Sequence, residues 1–149
     1  MKVLLTGSSK GIGYKIAQDL LTEGHELALH YNKNESPLKD LLKEDKSGSF
    51  SIQADLSKQE EIKKMVVNTI DKLSFPDCII NNAGIAESAD ISLDINSWSN
   101  MFDKTIDVNL KAPSLIFKEF LKYKREKKIN SRLRIINIAS RAAFRGEQQ

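Results

Sequence analysis

The chain alternates short apolar runs with longer amphipathic stretches. Lys2–Thr6 is an apolar run that stops at glycine, as a buried strand does. Ile12, Ile16, Ala17, Leu20 and Leu21 then recur at helical spacing, predicting a helix with these residues on its inner face and Gly24 at its end. Glu26–Tyr31 reads as a second strand, followed by a polar loop and a short helix around Pro37–Lys43. Ser49–Ala54 alternates as a third strand. Leu56–Leu73 predicts a helix with Ile62, Met65, Val66, Thr69, Ile70 and Leu73 inward. Asp77–Asn81 is a fourth strand, Trp98–Tyr123 a long helical stretch, and Leu133–Ile138 a fifth strand.

Strands separated by helices of ten or more residues imply right-handed crossovers, hence an α/β fold with a parallel, doubly wound sheet. Ligands of such sheets bind at the carboxyl ends of the strands, where strand order reverses. The residues directly after each strand are therefore the candidates for chemistry.

Composition bounds the picture. A length of 149 residues suits one domain, 1–149, with 40% hydrophobic and 29% charged residues as in soluble globular proteins. The single Cys excludes an internal disulfide, no cluster has metal-ligand spacing, and Cys78 reads as a buried core residue. The apolar start is too short for a signal peptide or a membrane span, so a cytoplasmic setting without a membrane partner is expected. Residues 1–117 hold 13 Lys and 17 acids, whereas residues 118–149 hold 10 Lys+Arg and 3 Glu. These late cations are interleaved with Phe117, Phe120, Leu121, Ile129, Leu133 and Ile135. They read as a solvated helix end suited to the negative pole of the helix dipole, so no nucleic-acid partner is expected.

The first strand runs through Thr6-Gly7-Ser8-Ser9-Lys10-Gly11-Ile12-Gly13 into a helix. Glycines permit a positive-φ turn and close approach to a pyrophosphate, and a helix start offers N–H groups to phosphate. The spacing, Gly-x3-Gly-x-Gly, departs from the common dinucleotide fingerprint. The second strand ends in His30-Tyr31-Asn32-Lys33, without the acid that would hold ribose hydroxyls. Lys10 and Lys33 would attract a 2′-phosphate, which predicts NADP(H) over NAD(H). Asp55 follows the third strand and suits either helix capping near Ser57 or adenine contact. Pro113 cannot donate an N–H to the carbonyl of Asn109, so a helix kink exposing that carbonyl is expected. His25 and His30 lie at or within a strand with no visible Ser or Cys partner, and Trp98 reads as core or interface.

Thr6-Gly7-x3-Gly11-Ile12-Gly13, Asp55-Leu56, Asn81-Asn82-Ala83-Gly84, Asp107-Val108-Asn109-Leu110 and Ile136-Asn137-Ile138-Ala139-Ser140 together resemble the short-chain dehydrogenase/reductases, ordinary branch. The resemblance covers essentially the whole chain. It implies a Rossmann fold, a nicotinamide cofactor and hydride transfer with a small-molecule carbonyl or alcohol. By resemblance the turn carrying Gly7, Ser9, Lys10, Gly11, Ile12 and Gly13 would hold the cofactor phosphates, Asp55 the adenine side, and Asn82, Ala83 and Gly84 the ribose region. Ser140 would be the catalytic serine, and Asn109 the asparagine of a proton relay.

The same resemblance requires a Tyr-x3-Lys pair about a dozen residues after the serine, yet the sequence ends nine residues after Ser140. Tyr123-Lys124-Arg125-Glu126-Lys127 fits the text pattern but precedes the serine, at the polar end of a helix away from the site. The expectation is the N-terminal portion of an NADP(H)-linked reductase, its sheet truncated after the fifth strand. The alternative is a catalytically inactive nucleotide-binding or interaction module of the same fold. Truncation would leave the fifth strand as an open edge, and Leu110, Leu115, Ile116 and Phe120 without a neighbour, so self-association into a homo-oligomer is expected.

Overall fold

Three consecutive fully buried residues, Val3, Leu4 and Leu5, place the first strand at the centre of the molecule. A computed structural model describes residues 1–87 and 90–141. Strand β1 (Lys2–Leu5) pairs in parallel with β2 (Glu26–Tyr31) on one side and with β4 (Cys78–Asn81) on the other. Strand β3 (Phe50–Gln53) lies outside β2, and β5 (Arg134–Asn137) outside β4. The order β3-β2-β1-β4-β5 reverses between β1 and β4, the doubly wound Rossmann arrangement.

Alternation along the central strands sorts their side chains onto two faces. Val3, Leu5, Leu27, Leu29, Cys78 and Ile80 pack with Ala17 of α1 (Gly11–Thr22) and Leu38 of α2 (Ser36–Leu42). Leu4, Ala28, Ile52 and Ile79 pack on the other face with α3 (Gln59–Leu73) and α5 (Ala112–Glu126). The six residues expected on the inner side of α3 are all buried. Strand β5 is a solvent-facing edge, with Ile136 exposed, as expected.

Several expectations need correction. Ile12, expected on the inner face, is 66% exposed in the first turn of α1. Ile116 and Phe120 are not left without neighbours. Both are fully buried against α3, and Phe120 meets Phe75 edge-on with centroids 6.1 Å apart. Leu115 also packs against that core, while Leu110 is exposed. The long helical stretch begins earlier, with α4 (Ile95–Ile106), where the Asp94 carboxylate accepts the N–H groups of Asn96 and Ser97, each at 3.0 Å. Trp98 is not core: it stacks on Phe102 at 5.4 Å on the outward side of α4, a helix with no buried residue.

Between α4 and α5 the helix widens into a π turn over Asp107–Lys111, in which the Ala112 N–H donates to the Asp107 carbonyl. Pro113 in the first turn of α5 has no N–H to offer Asn109. The disruption anticipated there thus takes the form of one added residue per turn.

Phe120 is the largest fully buried side chain. Phe120→Ala should lower unfolding free energy by about 3–5 kcal/mol, read from urea denaturation midpoints at unchanged slope. A loss below about 1 kcal/mol would mean that α5 does not pack on α3 as described.

Candidate functional site

The β1–β4 junction is closed by polar groups that the end of each strand supplies. The buried Thr6 hydroxyl donates to the Ile80 carbonyl at 3.4 Å and accepts the N–H groups of Asn82 and Ala83, each at 3.0 Å. That satisfies the full bonding capacity of a hydroxyl. The Asn82 side-chain amide donates back to the carbonyls of Thr6 and Gly7 at 3.1 and 3.0 Å. Asn82 therefore ties the two loops together, with its amide nitrogen committed to the protein.

The glycine-rich turn is shaped by this closeness. Gly7 has φ +67°, and a Cβ there would lie 2.7 Å from the Ala83 Cα. A Cβ on Gly13 would lie 2.1 Å from the Gly7 carbonyl and 2.4 Å from the Asn82 amide. Only glycine fits at both positions. Lys10 precedes α1 in extended conformation, and no side chain caps the helix start. The first N–H groups of α1, beside exposed Ile12 and Lys10, thus present an open, positive helix end.

His30, which sequence reasoning left without a partner, underpins this turn. Its buried ring accepts the Gly7 N–H at Nδ1, 3.1 Å away, and donates from Nε2 to the Ala54 carbonyl at 3.0 Å. Its own carbonyl accepts both the Ser8 N–H and the Ser8 hydroxyl at 2.9 Å. One signal was available in the sequence: a polar residue interrupting the apolar run Leu27-Ala28-Leu29. Burial pushes the imidazole below its ordinary value, partly opposed by the bond to Ala54.

Beside the turn, the ends of β2 and β3 and the face of α3 enclose an open cleft of about 550 Å³. Asn32, Lys33, Gln53, Asp55, Lys58 and Glu61 line it. Lys33 is exposed and forms no ion pair among the described residues, whereas Lys58 lies 3.7 Å from Asp55 and 3.3 Å from Glu61. The capping expectation for Asp55 needs adjustment, because α3 begins at Gln59 and its N-cap is Lys58. Asp55 instead accepts the Ser57 N–H at 3.0 Å and hydroxyl at 2.7 Å in a turn ahead of the helix. The Ser57 bonds hold its carboxyl below the usual range against the opposing effect of desolvation, with Lys58 adding to them. Glu61 reaches back to accept the Asp55 N–H at 2.6 Å.

Asn109, on the π turn, pairs with the loop after β4. It accepts the Ile85 N–H and donates to the Ile85 carbonyl, both at 2.8 Å, and Gly84 lies alongside. The side chain thus positions the loop. Ser140 follows β5 by three residues, at the same carboxyl edge. Tyr123 and Lys127 lie at the far end of α5, which leads to the start of β5. There Tyr123 stacks on Phe75 and Lys127 lies over its ring at 5.9 Å, away from the site. Among the described residues no group of three or more His, Cys, Asp or Glu could hold a metal, and no helix is long and apolar enough to cross a membrane.

A family profile described as short chain dehydrogenase matches residues 1–149. The chain belongs to the short chain dehydrogenases. It is similar to a 3-oxoacyl-[acyl-carrier-protein] reductase of Staphylococcus epidermidis, with 34% identity over 112 residues, 73% of this chain and 45% of the relative. Among solved structures, 4-hydroxyisoleucine dehydrogenase complexed with NADH matches with TM-score 0.82 and 31% identity, over 98% of this chain and 57% of that one. A metagenomic short-chain oxidoreductase in complex with NADP matches with TM-score 0.80 and 28% identity, over 99% and 65%. The chain spans about half the length of the curated relatives it matches.

Thr6→Val keeps the shape of the side chain and removes the acceptor of two backbone N–H groups. It should lower stability by about 1–3 kcal/mol, while Thr6→Ser stays near wild type, as measured by chemical denaturation. Equal losses in both variants would remove the hydroxyl from this role.

Proposed function

We propose that the whole protein transfers a hydride between NADP(H) and a small-molecule carbonyl or alcohol in the cytoplasm, with this chain supplying the cofactor side of the site. The observation that carries the reading is the cradle at the switch point. Gly7 and Gly13 let the loops after β1 and β4 close on each other where no Cβ would fit, while the Cβ position of Gly11 faces open space at the uncapped start of α1. These features fit a dinucleotide pyrophosphate. Gly7, Ser9, Gly11, Ile12 and Gly13 would line it, Asp55 would face the adenine side, and Asn82, Ala83 and Gly84 the ribose region. Lys10 and Lys33 would meet a 2′-phosphate, and no carboxylate at the end of β2 opposes them. When bound, the nicotinamide carries the hydride. Ser140 would hydrogen-bond the substrate oxygen, and the Asn109 carbonyl would hold a relay water. Residues 141–149 hold neither tyrosine nor lysine, so hydride transfer is proposed for the whole protein and dinucleotide binding for this chain. Relatives named for acyl-carrier-protein-linked 3-oxoacyl reduction favour a carbonyl substrate.

Calorimetric titration with NADP+ and NAD+ tests the cofactor assignment. NADP+ should bind more tightly, and Lys33→Ala should cut the preference by about tenfold or more through loss of a charge-assisted contact. Equal or tighter binding of NAD+ by the wild type would sink the assignment.

We also propose that copies of the chain associate through the outward face of α4 and α5. Trp98, Phe102, Leu110 and Phe117 are exposed along α4, the π turn and α5, and β5 is an edge strand among the described residues. Light scattering at micromolar concentration should give a dimer or larger species, and a monomer would contradict the proposal.

A further inference from the structure

We propose that His30 is a positioning residue coupling ring protonation to dinucleotide binding: its neutral imidazole holds the glycine-rich turn in binding shape, and a second ring proton releases that turn. The inference rests on the cofactor reading above and adds a form of regulation to the same site.

The bonding pattern dictates the proton state. A carbonyl can only accept, so the nitrogen facing Ala54, Nε2 at 3.0 Å, carries the proton. A backbone N–H can only donate, so Nδ1, 3.1 Å from the Gly7 nitrogen, presents its lone pair. The neutral Nε2–H tautomer satisfies both partners, and no other ring state does. Protonating Nδ1 would set two donors face to face in a buried site. The His30 main chain is tied to the same turn, because its carbonyl accepts the Ser8 N–H and hydroxyl. Gly7 cannot shift alone. It is wedged against Ala83, its carbonyl accepts the Asn82 amide, and Gly13 closes over it. A proton on Nδ1 therefore displaces the turn as a unit.

The ionisable groups on the surrounding elements are Tyr31 on β2, Asp55 and Lys58 after β3, Glu61 on α3 and Lys10 ahead of α1. No hydrogen bond or ion pair joins any of them to the ring, and none contributes to its lowered proton affinity. The ring responds to burial and to the two backbone groups it bridges. Linkage then fixes the sign. The ligand selects the neutral ring, so affinity falls as pH drops through the imidazole value of the free protein, which burial holds below the ordinary one. Reciprocally, bound ligand pushes that value lower still. One proton allows at most about a tenfold loss per pH unit.

The chain has two histidines, so ring-nitrogen NMR with His25→Gln as the assignment control isolates His30. Its ring should show the Nε2–H tautomer, and saturating NADP+ should move its titration to lower pH. A second arm follows NADP+ affinity by calorimetry from about pH 8 to pH 5. The ligand phosphate itself titrates near pH 6, in wild type and variant alike. The difference between wild type and His30→Gln, whose amide can donate to Ala54 and accept from Gly7 without titrating, isolates the ring. Wild type should lose up to about tenfold more affinity per pH unit than the variant. A His30 titration unmoved by NADP+ overturns the inference, as do parallel affinity profiles. If His30→Gln fails to fold, the NMR arm decides alone. Failure of the wild type to bind NADP+ at pH 8 would instead bring down the cofactor reading itself.

Discussion

The hydroxyl of Thr6 stands where strand order reverses, and the architecture of the site depends on the three bonds it makes. Two parallel strands running side by side leave their last N–H and C=O groups unpaired once the chains diverge. Here β1 and β4 diverge into the two loops that matter most. Thr6 takes up two of the orphaned N–H groups, and Asn82 returns two donors to the other loop. The loops are thereby fixed to each other rather than to solvent. Their spacing is small enough that glycine is obligatory at Gly7 and Gly13. The tight turn at the switch point is a by-product of satisfying the sheet.

His30 extends the same logic across the other half of the sheet. One ring links the turn after β1, the end of β2 and the loop after β3 through groups that would otherwise lack partners. Asp55 and Glu61 then organise the approach to α3 by accepting backbone N–H groups. The carboxyl edge is thus a continuous hydrogen-bonded rim. Charge on that rim is largely internally matched, and Lys33 is an exception.

Much of this was legible because apolar runs and their glycine stops carry strong local information. The central strands, the inner face of α3 and the glycine turn follow from periodicity and from the carboxyl-edge rule. Errors arose where local pattern and tertiary surroundings part. Ile12 obeys the helical period but is exposed in the first turn of α1. Ile116 and Phe120 read as needing a helix from further along the chain, whereas α3 covers them. Pro113 flagged a break without revealing its type, since a proline reports only the bond it cannot make. His30 went unread because its partners are backbone groups distant in sequence, which no spacing pattern encodes.

The π turn has a consequence for how one helix serves two masters. An α-helix advances about 100° per residue, so a single added residue rotates everything after it by roughly that angle relative to everything before. With Asp107–Lys111 as the phase shifter, the stripe containing Ile116 and Phe120 turns inward while that containing Trp98 and Phe102 turns outward. One rod therefore carries two apolar seams set at different azimuths. The junction between them falls at Asn109, so the residue that steadies the loop after β4 also marks where the helix changes its allegiance from the core to whatever lies outside it.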